Sequence, residues 1–293
     1  MTAAQTIPTT TLSALARSWL QEDCPSFDPA AASLPATPVS AVLYAKSRLL
    51  LAGVPFFDAV FREVGCNVVW MQPEPSLIQP LQGKQPLARV TGPPAQLLRG
   101  ERIALNALSE VCAIATAAHD AVQAVGKLAW TGRLAMTRKT PPGLRLLHKY
   151  GAMLGGMDPH RYDLSTPMLK DNHLSAAGNL TSAVSAVRAC AGFSAKVEVE
   201  TSSLSEALSA CEAGADIVML DNFEAASISE TVRIVKRQFP NVLVEVSGGV
   251  TPTSLESYLI DGVDVVSFSI GKHAASVDLS LKVDTQQSAA NAR

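Results

Sequence analysis

The chain has 293 residues, more than a single hydrophobic core usually holds, so two domains are predicted. Its net charge of −2 excludes a general electrostatic attraction to nucleic acid or to an anionic membrane surface. Hydrophobic residues make up 47% of the chain and aromatic residues only 5%, which favours an α/β protein with an aliphatic core.

The cysteines and the lack of long apolar segments bear on the cellular location. The five cysteines are widely spread and form no CxxC pair, which argues against a disulfide framework and against a zinc site. No stretch of about 18 apolar residues is present that could cross a membrane. We therefore expect a soluble, cytoplasmic protein with reduced thiols and no membrane partner.

The N-terminal part of the chain predicts a mixed domain. Apolar residues within 11–21 recur at helical spacing and predict a short amphipathic helix. Between about 38 and 100, strand-like segments alternate with a helix-like stretch at 56–64, which is typical of an α+β domain. The Ala-rich segment 99–126 then predicts a long helix that stops at Gly126.

The second half of the chain repeats a strand and helix pattern. Strand-like runs, separated by segments long enough for parallel crossovers, occupy 195–200, 215–222, 242–250 and 263–271. Both a barrel and a doubly wound sheet fit this pattern. The barrel is favoured because polar residues stand at the carboxyl ends of successive strands, where barrel enzymes gather their active sites.

A local excess of positive charge lies between residues 138 and 173. Only three aspartates oppose its cationic and imidazole side chains, which are Arg138, Lys139, Arg145, His148, Lys149, His160, Arg161, Lys170 and His173. This cluster predicts a pocket for an anion with several carboxylate or phosphate groups. A solvated basic face is the alternative. The pocket is favoured because these residues stand among Gly and Pro turns and because arginine grips carboxylates with two parallel hydrogen bonds.

Acidic residues and glycines end the predicted strands. Lys196, Glu198 and Glu200 alternate along one strand and are expected to form an inward polar stripe. Asp221 ends the next strand, and carboxylates from two strand ends beside a phosphate suit magnesium. The glycines of the segment 247–249 let backbone N–H groups approach a phosphate closely. Together with the cations, these features predict transfer to or from a phosphorylated sugar.

The strongest match to a known family lies in the segment TRKTPPGLRLLHKYGAMLGGMDPHRYDL at 137–164 and in LKDNH at 169–173. These motifs resemble the quinolinate phosphoribosyltransferases, and the eukaryotic members are the most similar. The resemblance runs from SWLQEDCP at 18–25 through GVPFFDAVF, KVEVE and VEVSGGVT to DLSLK at 278–282, so it covers nearly the whole chain.

The resemblance implies a fold and an assembly. The family has a smaller N-terminal α/β sandwich domain joined to an open, seven-stranded, TIM-like α/β-barrel. By this resemblance we expect the sandwich domain at 1–112, the barrel at 113–274, and a return of 275–293 to the first domain. It further implies a homo-oligomer, a dimer or a trimer of dimers, in which Arg102 reaches into the neighbouring subunit's site.

The resemblance also implies a reaction. The family transfers phosphoribosyl from phosphoribosyl pyrophosphate to quinolinate with loss of carbon dioxide, which gives nicotinic acid mononucleotide for NAD biosynthesis. Pyrophosphate leaves through an oxocarbenium-like state, and magnesium and the protein's cations neutralise the leaving group. The resemblance implies catalytic roles for Lys139, Lys170, Glu200 and Asp221.

The same match implies which residues bind the substrates. The carboxylates of quinolinate and the phosphates of the donor would be held by Arg138, Lys139, His160, Arg161 and Lys170. Glu200 and Asp221 match carboxylates near the ribose, with magnesium held indirectly through substrate or water. The 5′-phosphate would be held by Ser247, Gly248, Gly249 and Ser269.

Some positions depart from the family's pattern. Pro141 replaces a threonine, Met136 stands where a small residue is usual, the loop before Lys170 is one residue shorter, and Ser269 replaces a glycine of some members. Met136 either crowds the pocket or fills the barrel core. Two alternatives therefore stay open: a paralogue that takes a different pyridine-type acid, and a catalytically silent, oligomeric binding protein.

Overall fold

The computed structural model describes residues 3–81 and 83–284. Its α-helices are α1 (Thr9–Asp23), α2 (Val54–Glu63), α3 (Pro94–Val125), α4 (Arg145–Leu154), α5 (Asp171–Ala177), α6 (Leu180–Ala191), α7 (Leu204–Glu212) and α8 (Ala225–Gln238). Its strands are β1 (Val39–Ala45), β2 (Leu49–Leu51), β3 (Asn67–Trp70), β4 (Ser76–Ile78), β5 (Gln85–Gly92), β6 (Arg133–Met136), β7 (Met168–Leu169), β8 (Glu198–Thr201), β9 (Ile217–Asp221), β10 (Leu243–Ser247), β11 (Val265–Phe268) and β12 (Leu279–Val283).

The chain forms two compact units, the first made of Met1–His119 and Ala274–Arg293 and the second of Asp120–His273. The first unit contains an antiparallel sheet with the strand order β12-β1-β5-β3, so the C-terminal strand pairs directly with β1. The boundary between the units lies inside α3, between His119 and Asp120, whereas the sequence predicted it after residue 112. Residues 285–293 of the segment predicted to return lie outside the described residues.

The first unit is held together by an aliphatic and aromatic core beneath its sheet. Helix α2 buries Phe56, Phe57 and Phe61 completely, and the ring of Phe57 meets Trp70 of β3 edge to face at 5.3 Å. Burying three aromatic side chains removes a large apolar area from water, which is the main stabilising contribution in a unit of this size. The strand segments predicted here are present within one or two residues of their expected ends.

The second unit, the barrel, is a parallel sheet with helices between its strands. The strand order is β6-β11-β10-β9-β8-β7, so the first strand of the unit pairs with the last and the sheet curls towards closure. This confirms the predicted open α/β-barrel. Within the described residues the sheet has six strands. The seventh position is marked by a single parallel bridge from Asp158 to Ala135 of β6.

All the parallel strands of the barrel end at one edge of the sheet, and this is the edge that carries the predicted site residues. Thr137, Lys170 and Ser269 directly follow β6, β7 and β11, while Asp221 and Ser247 are the last residues of β9 and β10. Met136, the last residue of β6, is fully buried and belongs to the barrel core. No helix of the described part of the chain is long and apolar enough to cross a membrane.

Candidate active site

A cavity of about 160 Å³ opens at the carboxyl edge of the barrel strands. It brings together eight of the residues that the sequence assigned to substrate. Its lining residues are Thr137, Arg138, Lys139, His160, Arg161, Met168, Lys170, Glu200, Met219, Asp221 and Ser247. Met136 is absent from this lining, so its role is to fill the core rather than to crowd the pocket.

Two arginines face this cavity with unused hydrogen-bonding capacity. Arg161 is only 7% exposed, and burial lowers the pKa of its guanidinium. The Nε atoms of Arg138 and Arg161 are both buried without a hydrogen-bond partner among the described residues. A buried donor without a partner costs about 1–3 kcal/mol. A ligand with carboxylate groups would satisfy both arginines.

Carboxylates from adjacent strands form the opposite wall of the cavity. The Nζ atom of Lys170 is paired with the carboxylate of Glu200, which ends the inward face of β8. Burial raises the pKa of Asp221, and the neighbouring charge of Glu200 raises it further. The wall therefore carries surplus negative potential that a cation or a cationic ligand would relieve.

Beside the cavity lies a buried acidic network, of which sequence reasoning identified Glu198 and His160 but not Glu245 or Ser267. The His160 Nε2 atom is 3.1 Å from Glu245 Oε2 and 3.8 Å from Glu198 Oε2, and Ser267 Oγ donates to Glu245 Oε1 at 2.5 Å. His160 has φ +55°, an uncommon backbone conformation for a residue other than glycine. The alternation of Glu245 with Ser247 along β10 was the available signal, because it places both side chains on the same side of the strand.

One member of this network is protonated near neutral pH. Burial, and after it the charge of Glu245, raise the pKa of Glu198 to about 9. Because the folded carboxyl holds its proton more tightly than the unfolded one, the free energy of unfolding falls as pH rises between the ordinary carboxyl range and about 9. The effect amounts to at most about 1.4 kcal/mol per pH unit.

Replacing this carboxyl with an amide is expected to remove that pH dependence. Denaturant unfolding of wild type and of Glu198→Gln at pH 6 and pH 8 should show a steeper loss of stability for the wild type. The reason is that only the wild type must release a proton from this position on unfolding. Identical pH dependence in the two proteins would show that Glu198 is ionised at neutral pH.

A second depression adjoins the first and contains the predicted phosphate loop. Gly248 has φ +88°, and a Cβ atom at this position would lie 2.6 Å from the backbone nitrogen of Asn222, so only glycine fits. Thr137 Oγ1 lies 2.8 Å from Ser269 Oγ across the same depression. The remaining lining residues include Gly249, Thr251, Lys272 and His273. Lys272 and His273 were missed, although they follow β11 as the other site residues follow their strands.

Several members of the predicted basic cluster do not line the cavity. Lys149 and His148 are buried in α4, and Arg145 precedes them on the same helix. The ring of His173 turns back to the start of α5, where its Nδ1 accepts a hydrogen bond from the backbone nitrogen of Lys170. The members of the cluster that line the cavity are therefore Arg138, Lys139, His160, Arg161 and Lys170, and not these four residues.

Two further predicted residues also lie outside the cavity lining. Lys196 is exposed and precedes β8, so the inward stripe consists of Glu198 and Glu200 alone. Arg102 is an exposed residue of α3 and belongs to the first compact unit. Its predicted reach into a neighbouring subunit's site stays a prediction.

This fold, with a cavity of cations and carboxylates beside a glycine loop at the carboxyl edge of the strands, is that of an α/β-barrel enzyme. Two family descriptions match the chain in order: the quinolinate phosphoribosyl transferase N-terminal domain at residues 28–112 and the corresponding C-terminal domain at residues 114–282. The chain belongs to the quinolinate phosphoribosyltransferase family.

Individual relatives agree with this assignment. The chain is 49% identical to nicotinate-nucleotide pyrophosphorylase [carboxylating] of Rattus norvegicus over 279 residues, which covers 94% of this chain and 92% of the relative. Identity to the Homo sapiens enzyme of the same name is also 49%, with coverage of 94% and 93%. The solved nicotinate-nucleotide pyrophosphorylase of Francisella tularensis superposes with a TM-score of 0.87 at 29% identity, covering 97% of this chain and all of the solved one.

Proposed function

We propose that this protein transfers phosphoribosyl from phosphoribosyl pyrophosphate to quinolinate and releases carbon dioxide and pyrophosphate, which yields nicotinic acid mononucleotide for NAD biosynthesis. One observation carries the proposal. Arg138 and Arg161, whose Nε atoms have no hydrogen-bond partner among the described residues, line the same cavity as the carboxylates of Glu200 and Asp221. A glycine loop adjoins this cavity, and the chain belongs to the quinolinate phosphoribosyltransferase family.

The cationic end of the cavity suits the acceptor acid. Quinolinate carries two carboxylates on neighbouring ring atoms, and two arginines offer planar, two-pronged donors to such groups. Arg138 and Arg161 supply these donors, and His160 stands beside them with its ring tied to Glu245. We assign the acceptor site to these three residues.

The other end suits the phosphorylated sugar. Ser247, Gly248 and Gly249 form the loop that would take the 5′-phosphate through backbone N–H groups, and Ser269 lies opposite. Glu200 and Asp221 stand where the ribose would lie. As pyrophosphate leaves the sugar, the ammonium groups of Lys139 and Lys170 stabilise the negative charge that develops on it.

Decarboxylation then follows from the chemistry of the ring. Once the ring nitrogen bears the ribose it is positively charged, so it stabilises the electron pair that the departing carboxylate leaves on its ring carbon. That carbon then takes up one proton, which gives nicotinic acid mononucleotide. Arg138 and Arg161 hold the acid so that the nitrogen faces the sugar. Positioning of this kind can contribute about 7–11 kcal/mol to a transfer reaction.

We include magnesium in the proposal because the acidic wall fits it. This ion prefers a few carboxylates together with substrate oxygens and water. Glu200 and Asp221 offer two carboxylates on adjacent strands, and burial together with the charge of Glu200 raises the pKa of Asp221. These two residues would hold the ion through substrate or water, and when bound it supplies positive charge to the pyrophosphate.

Assembly and location complete the proposal. We infer a homo-oligomer, a dimer or a trimer of dimers, in which the exposed Arg102 completes a neighbour's site. We also place the enzyme in the cytoplasm, which is supported by five cysteines that are all free. Size-exclusion chromatography with light scattering of the wild type tests the assembly, and a monomer with full activity would contradict the shared site.

The reaction itself is tested with purified protein, quinolinate, phosphoribosyl pyrophosphate and magnesium. Nicotinic acid mononucleotide should form with one carbon dioxide for each nucleotide. A parallel panel of pyridine mono- and dicarboxylates should show preference for quinolinate, because Met136 lies in the core and Pro141 is exposed on the loop. Preference for another acid would favour the altered-substrate paralogue, and absence of any turnover would favour the silent binding protein.

A further inference from the structure

One buried cation of the barrel lies outside the cavity lining. Lys149 of α4 is fully buried, and its ammonium donates hydrogen bonds to three backbone carbonyl oxygens. These are Met136 O at 2.6 Å, Thr137 O at 3.2 Å and Pro159 O at 2.5 Å. An ammonium has three N–H donors, so each donor has one carbonyl.

This arrangement lowers the free energy of unfolding. The described residues place no carboxylate within ion-pair distance of Lys149, and its charged neighbours Arg145, Arg161 and Arg138 are all cations. Burial, and after it the charges of these neighbours, lower the pKa of Lys149 to about 7. Burying a charge without an opposite partner costs several kcal/mol, so stability alone does not explain a lysine here.

The positions of the three carbonyls suggest another reason. Met136 and Thr137 directly precede Arg138 and Lys139 along the chain, and Pro159 directly precedes His160 and Arg161. One ammonium therefore joins the two segments that carry the acceptor-site cations.

The backbone does not make this connection by itself. Parallel pairing beside β6 ends with the hydrogen bonds from Asp158 N to Leu134 O and from Met136 N to Asp158 O. The next bond of this ladder would run from His160 N to Met136 O, but His160 has φ +55°, so the extended strand ends at Pro159. Beyond this point, the Lys149 ammonium bridges the two segments.

We propose that Lys149 is a positioning residue for the acceptor acid: its ammonium fixes the segment before Arg138 against the segment before His160 and Arg161. The clamp thereby sets the spacing of the guanidinium groups of Arg138 and Arg161 that bind the acid. This inference rests on the proposed function, because it concerns the binding of the same acid.

Lys149→Met tests the inference, because methionine has a similar length and no donor. Two-substrate kinetics should show that the KM for quinolinate rises by about 10- to 100-fold, as a displacement of about 1 Å can cost. The KM for phosphoribosyl pyrophosphate should change by less than about threefold. Of the residues assigned to this substrate, Lys139 alone follows the segment that Lys149 fixes, whereas Lys170, Glu200, Asp221 and the glycine loop do not depend on this clamp.

Lys236→Met is the matched control. Lys236 is also a barrel lysine with a backbone carbonyl partner, Val242 O at 2.9 Å, but it pairs with Asp264 and lies outside both depressions. It should keep both KM values near wild type. An unchanged quinolinate KM in Lys149→Met, or an equal loss for both substrates, would overturn the inference.

Thermal unfolding of each variant shows whether it is folded at the assay temperature. If Lys149→Met is unfolded there, Lys149→Gln, which keeps an NH₂ donor without the charge, is measured instead with the same criteria. A wild type that forms no nucleotide would defeat the proposed function. If the wild type is active and the Lys149 variant has a normal KM for quinolinate, only the positioning role is refuted.

Discussion

Arg138→Ala is expected to lower kcat/KM for quinolinate by about 10²- to 10³-fold, the usual loss when one preorganised donor is removed from an active site. The melting temperature should stay near wild type, because the Nε of Arg138 has no hydrogen-bond partner in the described part of the chain. The arginine therefore serves the ligand more than the fold. Lys139→Ala should show a similar loss of activity, since Lys139 is an exposed cation at the same cavity.

Arg133→Ala is the control for Arg138→Ala. Arg133 begins the strand that Arg138 follows, and its NH1 donates to both carboxylate oxygens of Asp158 at 3.0 Å. Its side chain is 71% exposed, so the salt bridge is worth little to stability. Steady-state kinetics should find this variant close to wild type. Wild-type kcat/KM in Arg138→Ala would refute the assignment of the acceptor site.

The second large effect is expected at the phosphate loop. Gly248→Ala forces a Cβ atom to within 2.6 Å of Asn222 N and 2.3 Å of Asn222 Oδ1. Real Cβ atoms do not approach backbone this closely, so the loop or the end of β9 must move. A shift of about 1 Å can cost about 10²-fold in rate. Kinetics should show this loss mainly with respect to phosphoribosyl pyrophosphate, because the loop is proposed to take its 5′-phosphate.

Gly214→Ala separates this collision from backbone strain. Gly214 has φ +92°, close to the +88° of Gly248, but no atom lies within 4 Å of the position a Cβ would take. Both variants incur the cost of a positive φ, about 1 kcal/mol for alanine. Only Gly248→Ala should lose affinity for the donor. Equal KM values for phosphoribosyl pyrophosphate in the two variants would show that the glycine loop does not bind the 5′-phosphate.

The barrel accepts several buried charges to build this site. Lys149 has cationic neighbours, Glu198 keeps a proton near neutral pH, and Glu245 is held by Ser267 and His160. Each of these groups would stabilise the core more as an apolar residue of similar volume. Their positions directly behind the cavity indicate that stability is exchanged for a rigid arrangement of cations around an anionic substrate.

Local patterns in the sequence predicted much of the fold. The period-2 runs located β8, β9, β10 and β11, and the Ala-rich segment predicted α3 with its end before Gly126. These elements follow from side-chain periodicity and backbone propensity, which are properties of short segments. The motif resemblance added the site residues, and eight of them line one cavity.

The sequence alone determined which elements form, which family the chain resembles, and which strand ends carry chemical groups. The tertiary structure decided where each cation points: Lys149 and Arg138 belong to one basic cluster, yet one binds carbonyls and the other faces ligand. It also brought Glu245 and Ser267 of adjacent strands to His160. The physical reason is that helix orientation and strand neighbours are set by the packing of the whole barrel, which no short segment encodes.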